Sequence, residues 1–377
     1  MRKVMTLVGT RPELIKMSRV IAELDAQTQH ILVHSGQNYD YELNQVFFDD
    51  LGIRKPDHFL NAAGANASKT IAEVISRTDD VLEAEQPEAL LLYGDTNTCL
   101  AVIAAKRRKI PVFHMEAGNR CFDERVPEEL NRKVLDHLSD INLVLSEHAR
   151  RYLIAEGIRP ETIIKTGSHM QEVLAHAMPK ITASDVLRRE GLEADQYFVV
   201  SAHREETVDT PAHLRELVST LRAIAAEWKM PIIFSTHPRT RQRLEALGET
   251  DIDPLIRFMP PFGFNDYLKL QMESYCVLSD SGTITEEASL LNLPAVTIRN
   301  THERPEGMDV GTLIMCGIRR DAVLDAIRVV RRQYDRTHRA FPVVPDYDVR
   351  AVSGQIVRIV LSYIDYVNRT VWRREPE

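Results

Sequence analysis

Val4-Met5-Thr6-Leu7-Val8 runs straight into Gly9-Thr10-Arg11-Pro12-Glu13, and the reading of that junction decides the fold. A short, continuous apolar run suits a strand buried on both faces of a parallel sheet. Gly9 ends it, and Pro12 sits where the first turn of a helix tolerates proline. The same grammar recurs along the chain. Apolar runs fall at residues 31–33, 89–93, 112–115 and 141–145 in the first half. In the second half they fall at 197–200, 231–234, 276–278, 295–298 and 313–316. Helical patterns lie between them, at 68–83, 128–138, 213–228 and 283–291. The alternation predicts an α/β fold of two Rossmann-like, doubly wound domains with a cleft between them. The domains are expected at 1–170 and 171–377, since Met178-Pro179 is read as interrupting any helix there. A last helical stretch, about 352–369, is free to pack back on the N-terminal domain.

Composition bounds the function. The chain has 377 residues and a net charge of −8, which fits two ordinary globular domains and lacks the basic excess of a nucleic-acid binder. Its one dense basic run, Lys106-Arg107-Arg108-Lys109, reads as a solvated helix end. Cys99, Cys121, Cys276 and Cys316 form no Cys-x-x-Cys pair and no zinc spacing. A reduced, cytoplasmic setting is the expectation, with no membrane span and an apolar N-terminal run too short for a signal peptide. No Gly-x-Gly-x-x-Gly follows the first run and no P-loop is present, so neither a bound NAD nor another cofactor is expected, and no metal.

Polar residues gather where the runs end, which is where open α/β sheets place ligands. Ser281-Gly282-Thr283 opens a helix directly after a run, a geometry suited to a diphosphate; Thr283 and Glu286 also fit a capping box. Glu286 and Glu287 can accept hydrogen bonds from a ribose diol or be a solvated acidic first turn. Arg11, Lys16 and Arg304 are candidate phosphate groups or partners in structural ion pairs. Asp95, Glu116 and Glu128 are carboxylates near strand ends, and crowding can keep one protonated while another stays ionised. Glu128 can alternatively pair with Arg132 four residues on. His203 can be a base, a phosphate donor or a core histidine.

Gly9-Thr10-Arg11-Pro12-Glu13, Gly94-Asp95-Thr96, His114-Met115-Glu116-Ala117-Gly118, Pro127-Glu128-Glu129, Ser281-Gly282 with Glu286-Glu287, and Glu303-Arg304-Pro305-Glu306 together resemble the non-hydrolysing UDP-N-acetylglucosamine 2-epimerases. The motifs come in that family's order over about residues 1–317. The resemblance implies the two-domain fold shared with many glycosyltransferases, and a homodimer. It implies loss of the C2 proton and of UDP, then re-addition to a 2-acetamidoglucal. It casts Asp95, Glu116, Glu128 and His203 as the catalytic set, without saying which carboxylate removes the proton. Arg11, Lys16, His237, Ser281, Gly282, Thr283, Glu287 and Arg304 become the UDP grip.

The match has departures. Glu116-Ala117-Gly118 continues as Asn119-Arg120-Cys121-Phe122-Asp123 where the main group reads Leu-Arg-Thr. Gln37-Asn38-Tyr39-Asp40 lacks the histidine of a regulatory site that binds a second substrate molecule. These features resemble the branch acting on modified UDP sugars, such as that completing UDP-N-acetyl-L-fucosamine. A glycosyltransferase, a hydrolysing 2-epimerase and a non-catalytic sugar-nucleotide sensor are the rivals.

Overall fold

The computed structural model describes residues 1–36, 48, 50–248 and 253–374. Gln37-Asn38-Tyr39-Asp40 lies outside the described residues, as do the side chains of Glu205 and Glu206. The chain divides into two units, Met1–Ala175 with Asp348–Glu377, and His176–Tyr347.

The first unit is built on β1 (Lys3–Val8), β2 (Gln29–His34), β3 (His58–Phe59), β4 (Ala89–Tyr93), β5 (Val112–Ala117), β6 (Ile141–Val144) and β7 (Ile163–Lys165). They form one parallel sheet in the order β3-β2-β1-β4-β5-β6-β7. All of β4 is buried, as an apolar run without alternation requires. Met5, Leu7, Val33, Leu90, Leu92 and Val112 form a core with Val74 and Leu82 of the helix Ala67–Glu85. The helix Val352–Thr370 packs against the helix Arg11–Gln27, and Asp365 ties it to Arg2 at 2.6 Å.

The second unit repeats the plan with β8 (Phe198–Ser201), β9 (Ile232–Ser235), β10 (Ile256–Met259), β11 (Cys276–Ser279), β12 (Ala295–Thr297) and β13 (Ile314–Met315). Their order is β10-β9-β8-β11-β12-β13, again all parallel. In each sheet the strand order reverses beside the first strand, between β1 and β4 and between β8 and β11. Such switch points open a crevice at the carboxyl ends of the strands, so the fold itself says where to look for a site.

Gly9 shows how tightly the first crevice is built. A Cβ there would lie 2.1 Å from Thr98 Oγ1 and 2.3 Å from Ser35 Oγ. Those two hydroxyls are themselves hydrogen-bonded at 2.8 Å in the buried interior, so neither can swing away without losing its partner. Gly9→Ala is expected to lower the unfolding free energy by about 1–3 kcal/mol, read from the urea midpoint.

Two expectations are corrected here. Met178-Pro179 does not interrupt a helix; the helix Met170–Ala183 runs through Pro179. Proline lacks an N–H, so this helix forgoes the bond to the carbonyl of Ala175, the last residue of the first unit's first segment. The basic run is not merely solvated. Lys106 binds Asp140 at 2.5 Å and lies over the Trp372 ring, and Arg108 forks onto Asp79 at 2.5 and 2.7 Å.

Candidate active site

In the first unit the crevice is lined by carboxylates held from several sides. Glu116 stands near the end of β5 with φ of 64°, and the β5–β6 register shifts between Met115 and Ala117. A positive φ is costly for a residue with a Cβ, and a bulge re-aims the side chain it carries. Lys16 reaches Glu116 Oε2 at 2.7 Å, and the Tyr93 hydroxyl donates to the same oxygen. Lys16, read from sequence as part of the UDP grip, is therefore seated on the carboxylate Glu116.

Asp95 lies just beyond β4. Its Oδ2 accepts from Arg132 Nε at 3.1 Å and Nη2 at 2.6 Å. Its carbonyl accepts from Asn131 at 3.0 Å. Arg132 also binds Glu129, three residues before it, at 2.9 Å. Asp95 and Glu129 are thus partners of Arg132 beside the i,i+4 pairing considered for Glu128. Glu129 is fully buried and accepts from the backbone N–H of Cys121 and Phe122, pinning the 119–123 loop. Glu128 itself sits half-buried in the first turn of the helix Pro127–Leu138. Arg11 is the first residue of its helix and is half-buried.

Glu13 was not among the expected site residues. It is 2% exposed and accepts from the N–H of Gly9 and Thr10 and from the Thr96 hydroxyl at 2.6 Å. Burial pushes its carboxyl up to about 7 against the pull of those donors, and the nearby Asp95 charge adds to the rise. It joins the turn after β1 to the turn after β4, across the switch point.

Beneath the carboxylates lies a buried ionic network. His114 puts Nδ1 on Asp136 and Nε2 on the Gly94 carbonyl, both at 2.8 Å. Asp136 also accepts from Gly118 N–H at 3.2 Å and from Arg120 at 2.7 Å. Arg120 forks onto Glu156 at 2.8 and 2.6 Å. Arg120, which stands between the departing residues Asn119 and Cys121, is 2% exposed and serves this network.

In the second unit, His203 and Asp280 stand just past the ends of β8 and β11. Asp280 is fully buried; its Oδ2 accepts from the backbone N–H of His203 at 2.8 Å and of Arg204 at 2.9 Å, and its Oδ1 meets His203 Nδ1 at 3.1 Å. Burial raises the Asp280 carboxyl, but the charge and hydrogen bonds of His203 outweigh it and the net direction is down. The Nδ1 side of the ring thus faces Asp280, on a side chain that is 42% exposed. His203 is therefore no core histidine.

Ser281, Gly282 and Thr283 are half-buried at the start of the helix Ile284–Leu291, with the Ser281 and Thr283 hydroxyls 3.1 Å apart. Thr283 makes no side-chain cap, and Glu286 and Glu287 are buried, so neither the capping box nor the solvated acidic turn describes this segment. Glu287 accepts from Gln271 at 3.0 Å. Arg304 is 2% exposed and reaches Glu286 at 3.4 Å, while Arg299 binds Glu303 at 2.5 Å and Arg204 binds it at 3.3 Å. A Cβ on Gly282 would lie 3.4 Å from Glu303 Oε1. His237 is exposed at the end of β9 and caps the helix Pro238–Leu247 by accepting from Arg239 N–H.

Residues 22–361 match the family model described as UDP-N-acetylglucosamine 2-epimerase. The chain belongs to that family. Among solved structures, this epimerase is 58% identical to a UDP-N-acetylglucosamine 2-epimerase from Rickettsia bellii, with a TM-score of 0.93 over 99% of this chain and 100% of that one. It is 30% identical to the Methanocaldococcus jannaschii UDP-GlcNAc 2-epimerase solved with UDP-GlcNAc and UDP, with a TM-score of 0.88 over 96% and 99% of the two chains. It is also 33% identical to a UDP-2,3-diacetamido-2,3-dideoxy-D-glucuronate 2-epimerase of Pseudomonas aeruginosa, over 86% of this chain and 91% of that one. A glycotransferase of kitacinnamycin, 13% identical with a TM-score of 0.56, shares the fold. The epimerase is thus an isomerase of the non-hydrolysing kind on two parallel Rossmann-like sheets. Among the described residues no helix is long and apolar enough to cross a membrane, and no cluster of His, Cys, Asp and Glu could hold a metal ion.

Proposed function

We propose that the protein interconverts UDP-N-acetylglucosamine and UDP-N-acetylmannosamine by anti elimination and re-addition of UDP. The observation that carries this is the strand-end pair of carboxylates, Glu116 on its bulge in β5 and Asp95 just past the neighbouring strand β4, each anchored to a cation. A carboxylate removes the C2 proton as the C1–O bond to UDP breaks, giving UDP and 2-acetamidoglucal. The UDP oxygen then re-bonds to C1 while C2 receives a proton on its opposite face. Nothing is oxidised, so carboxylates and histidine suffice. His203, whose Nδ1 lies 3.1 Å from Asp280, joins Asp95, Glu116 and Glu128 in that acid–base set.

Ser281, Gly282 and Thr283 offer N–H groups and hydroxyls to the diphosphate, and Glu287 accepts from the ribose diol. Arg11, His237 and Arg304 complete the grip, Arg304 through its bond to Glu286. Thr283→Val is expected to weaken UDP binding roughly 3- to 10-fold by titration calorimetry, the loss of one hydrogen bond. Products of this kind feed surface-polysaccharide assembly.

A second reading concerns the sugar alone. The Pseudomonas relative named for a 2,3-diacetamido glucuronate favours a modified UDP sugar. Phosphorus and proton NMR on UDP-GlcNAc, its 6-deoxy-talo analogue and the diacetamido glucuronate separate these readings. Nucleotide-linked epimer from one sugar identifies the substrate; free sugar plus UDP would show a hydrolysing enzyme instead.

A further inference from the structure

Tyr93 is the last residue of β4, following Ala89-Leu90-Leu91-Leu92, and it is 3% exposed. A buried phenol is expected to find a hydrogen-bond partner. This one donates to Glu116 Oε2. Lys16, 4% exposed, donates to the same oxygen at 2.7 Å and lies 5.5 Å from the centroid of the Tyr93 ring. The His169 ring meets the phenol edge-on at 5.2 Å. Two donors, one charged and one neutral, thus converge on one oxygen of a carboxylate whose backbone is already turned out of the strand.

We propose that Tyr93 and Lys16 are positioning residues for the epimerisation, fixing Glu116 as a carboxylate and fixing the direction in which it meets the C2 proton. The proposal rests on the epimerase reading of this site. The Glu116 side chain is only 12% exposed, and burial favours the neutral acid. Donors to the charged form oppose that. Lys16 supplies a cationic donor at 2.7 Å. Tyr93 supplies a second donor on a rigid ring, which a flexible lysine cannot replace geometrically. Among the neighbouring groups, Asp95 is held by Arg132, and His114 and Arg120 meet Asp136. Glu13 is engaged by Gly9, Thr10 and Thr96. Removing the phenol hydroxyl therefore acts mainly on Glu116.

Tyr93→Phe keeps the ring against His169 and Lys16 and deletes only the hydroxyl, so the fold is retained. The test pairs two readouts in wild type and variant. One is the pH profile of kcat/KM for C2 proton exchange on a UDP-N-acetyl sugar. The other is an infrared titration of the Glu116 carboxyl, identified by the band that Glu116→Gln removes. The expected result is an acid limb moved up by about one pH unit, a comparable move of the carboxyl band, and an unchanged KM. At pH 9 the variant should return to within about 3-fold of the wild-type rate. Lys16→Met should move both further. An unmoved carboxyl band in Tyr93→Phe overturns the proposal, whatever the rate. Absence of exchange by the wild type on every sugar offered sinks the epimerase reading instead, and the infrared titration still decides whether Tyr93 governs Glu116.

Discussion

Glu116→Gln is expected to reduce C2 proton exchange by roughly 10²- to 10⁴-fold while UDP affinity stays within about 2-fold of wild type. Glutamine keeps the volume at the bulge and can still accept from Lys16 or Tyr93, so the crevice stays formed. It cannot take up a proton. UDP affinity is spared because the proposed diphosphate groups Ser281, Gly282 and Thr283 belong to the other unit. Proton NMR of the exchange and calorimetry with UDP check the two halves of this result. Near-wild-type exchange would remove Glu116 from the acid–base set. Asp95→Asn should give a similar separation, since asparagine can still accept from Arg132.

Asp136→Ala is expected to cost about 3–5 kcal/mol of stability, the largest loss foreseen for one side chain here. The carboxylate is fully buried, and removing it leaves the Arg120 guanidinium and the His114 Nδ1 without their shared acceptor. The loss reaches the site as well, because the same atoms hold Gly118 N–H, just past Glu116, and His114 holds the Gly94 carbonyl, just before Asp95. Burial pushes Asp136 up, but the hydrogen bond and charge of His114 and the charge of Arg120 bring it below the usual carboxylate range. Its folded value is therefore depressed. The stability it contributes is present above the unfolded value near about 3.9 and is lost as pH falls through the folded one. Urea midpoints between about pH 6 and pH 3 should fall for the wild type and fall less steeply for Asp136→Asn. Identical slopes would show that this carboxylate does not drive the acid unfolding.

Most of the two sheets was legible because central parallel strands are apolar on both faces. β1, β4 and β11 are read almost residue for residue from their runs. The strands that escaped, β3, β7 and β10, all lie at sheet edges. Edge strands are short or half-exposed: β3 has two residues, and β10 mixes Ile256 and Phe258 with Arg257. The helix through Pro179 was misread because a local rule about proline was outweighed by its surroundings.

The candidate site divides in the same way. Asp95, Glu116 and His203 stand out because charged residues at strand ends are visible in sequence. The bulge that turns Glu116 outward is a backbone event, and Met115-Glu116-Ala117 looks like any strand end. Asp280 was hidden among the polar residues after its strand, and Tyr93 looked like the last apolar residue of its run. Glu286 could be read as a ribose acceptor or a solvated acidic turn and Arg304 as a phosphate group or an ion-pair partner, and their burial and 3.4 Å contact are visible only in the fold. Glu13 was hidden inside a motif, where nothing local tells that it bridges two turns.

The central claim is that a protein carboxylate exchanges the C2 proton while UDP leaves and returns. It is tested most directly by incubating the purified protein with UDP-GlcNAc in D₂O, with the modified UDP sugars in parallel, and following C2 by proton NMR. The predicted result is deuterium at C2 in sugar that is still joined to UDP, with the epimer appearing alongside. UDP binding without any deuterium at C2, for every sugar offered, would contradict it.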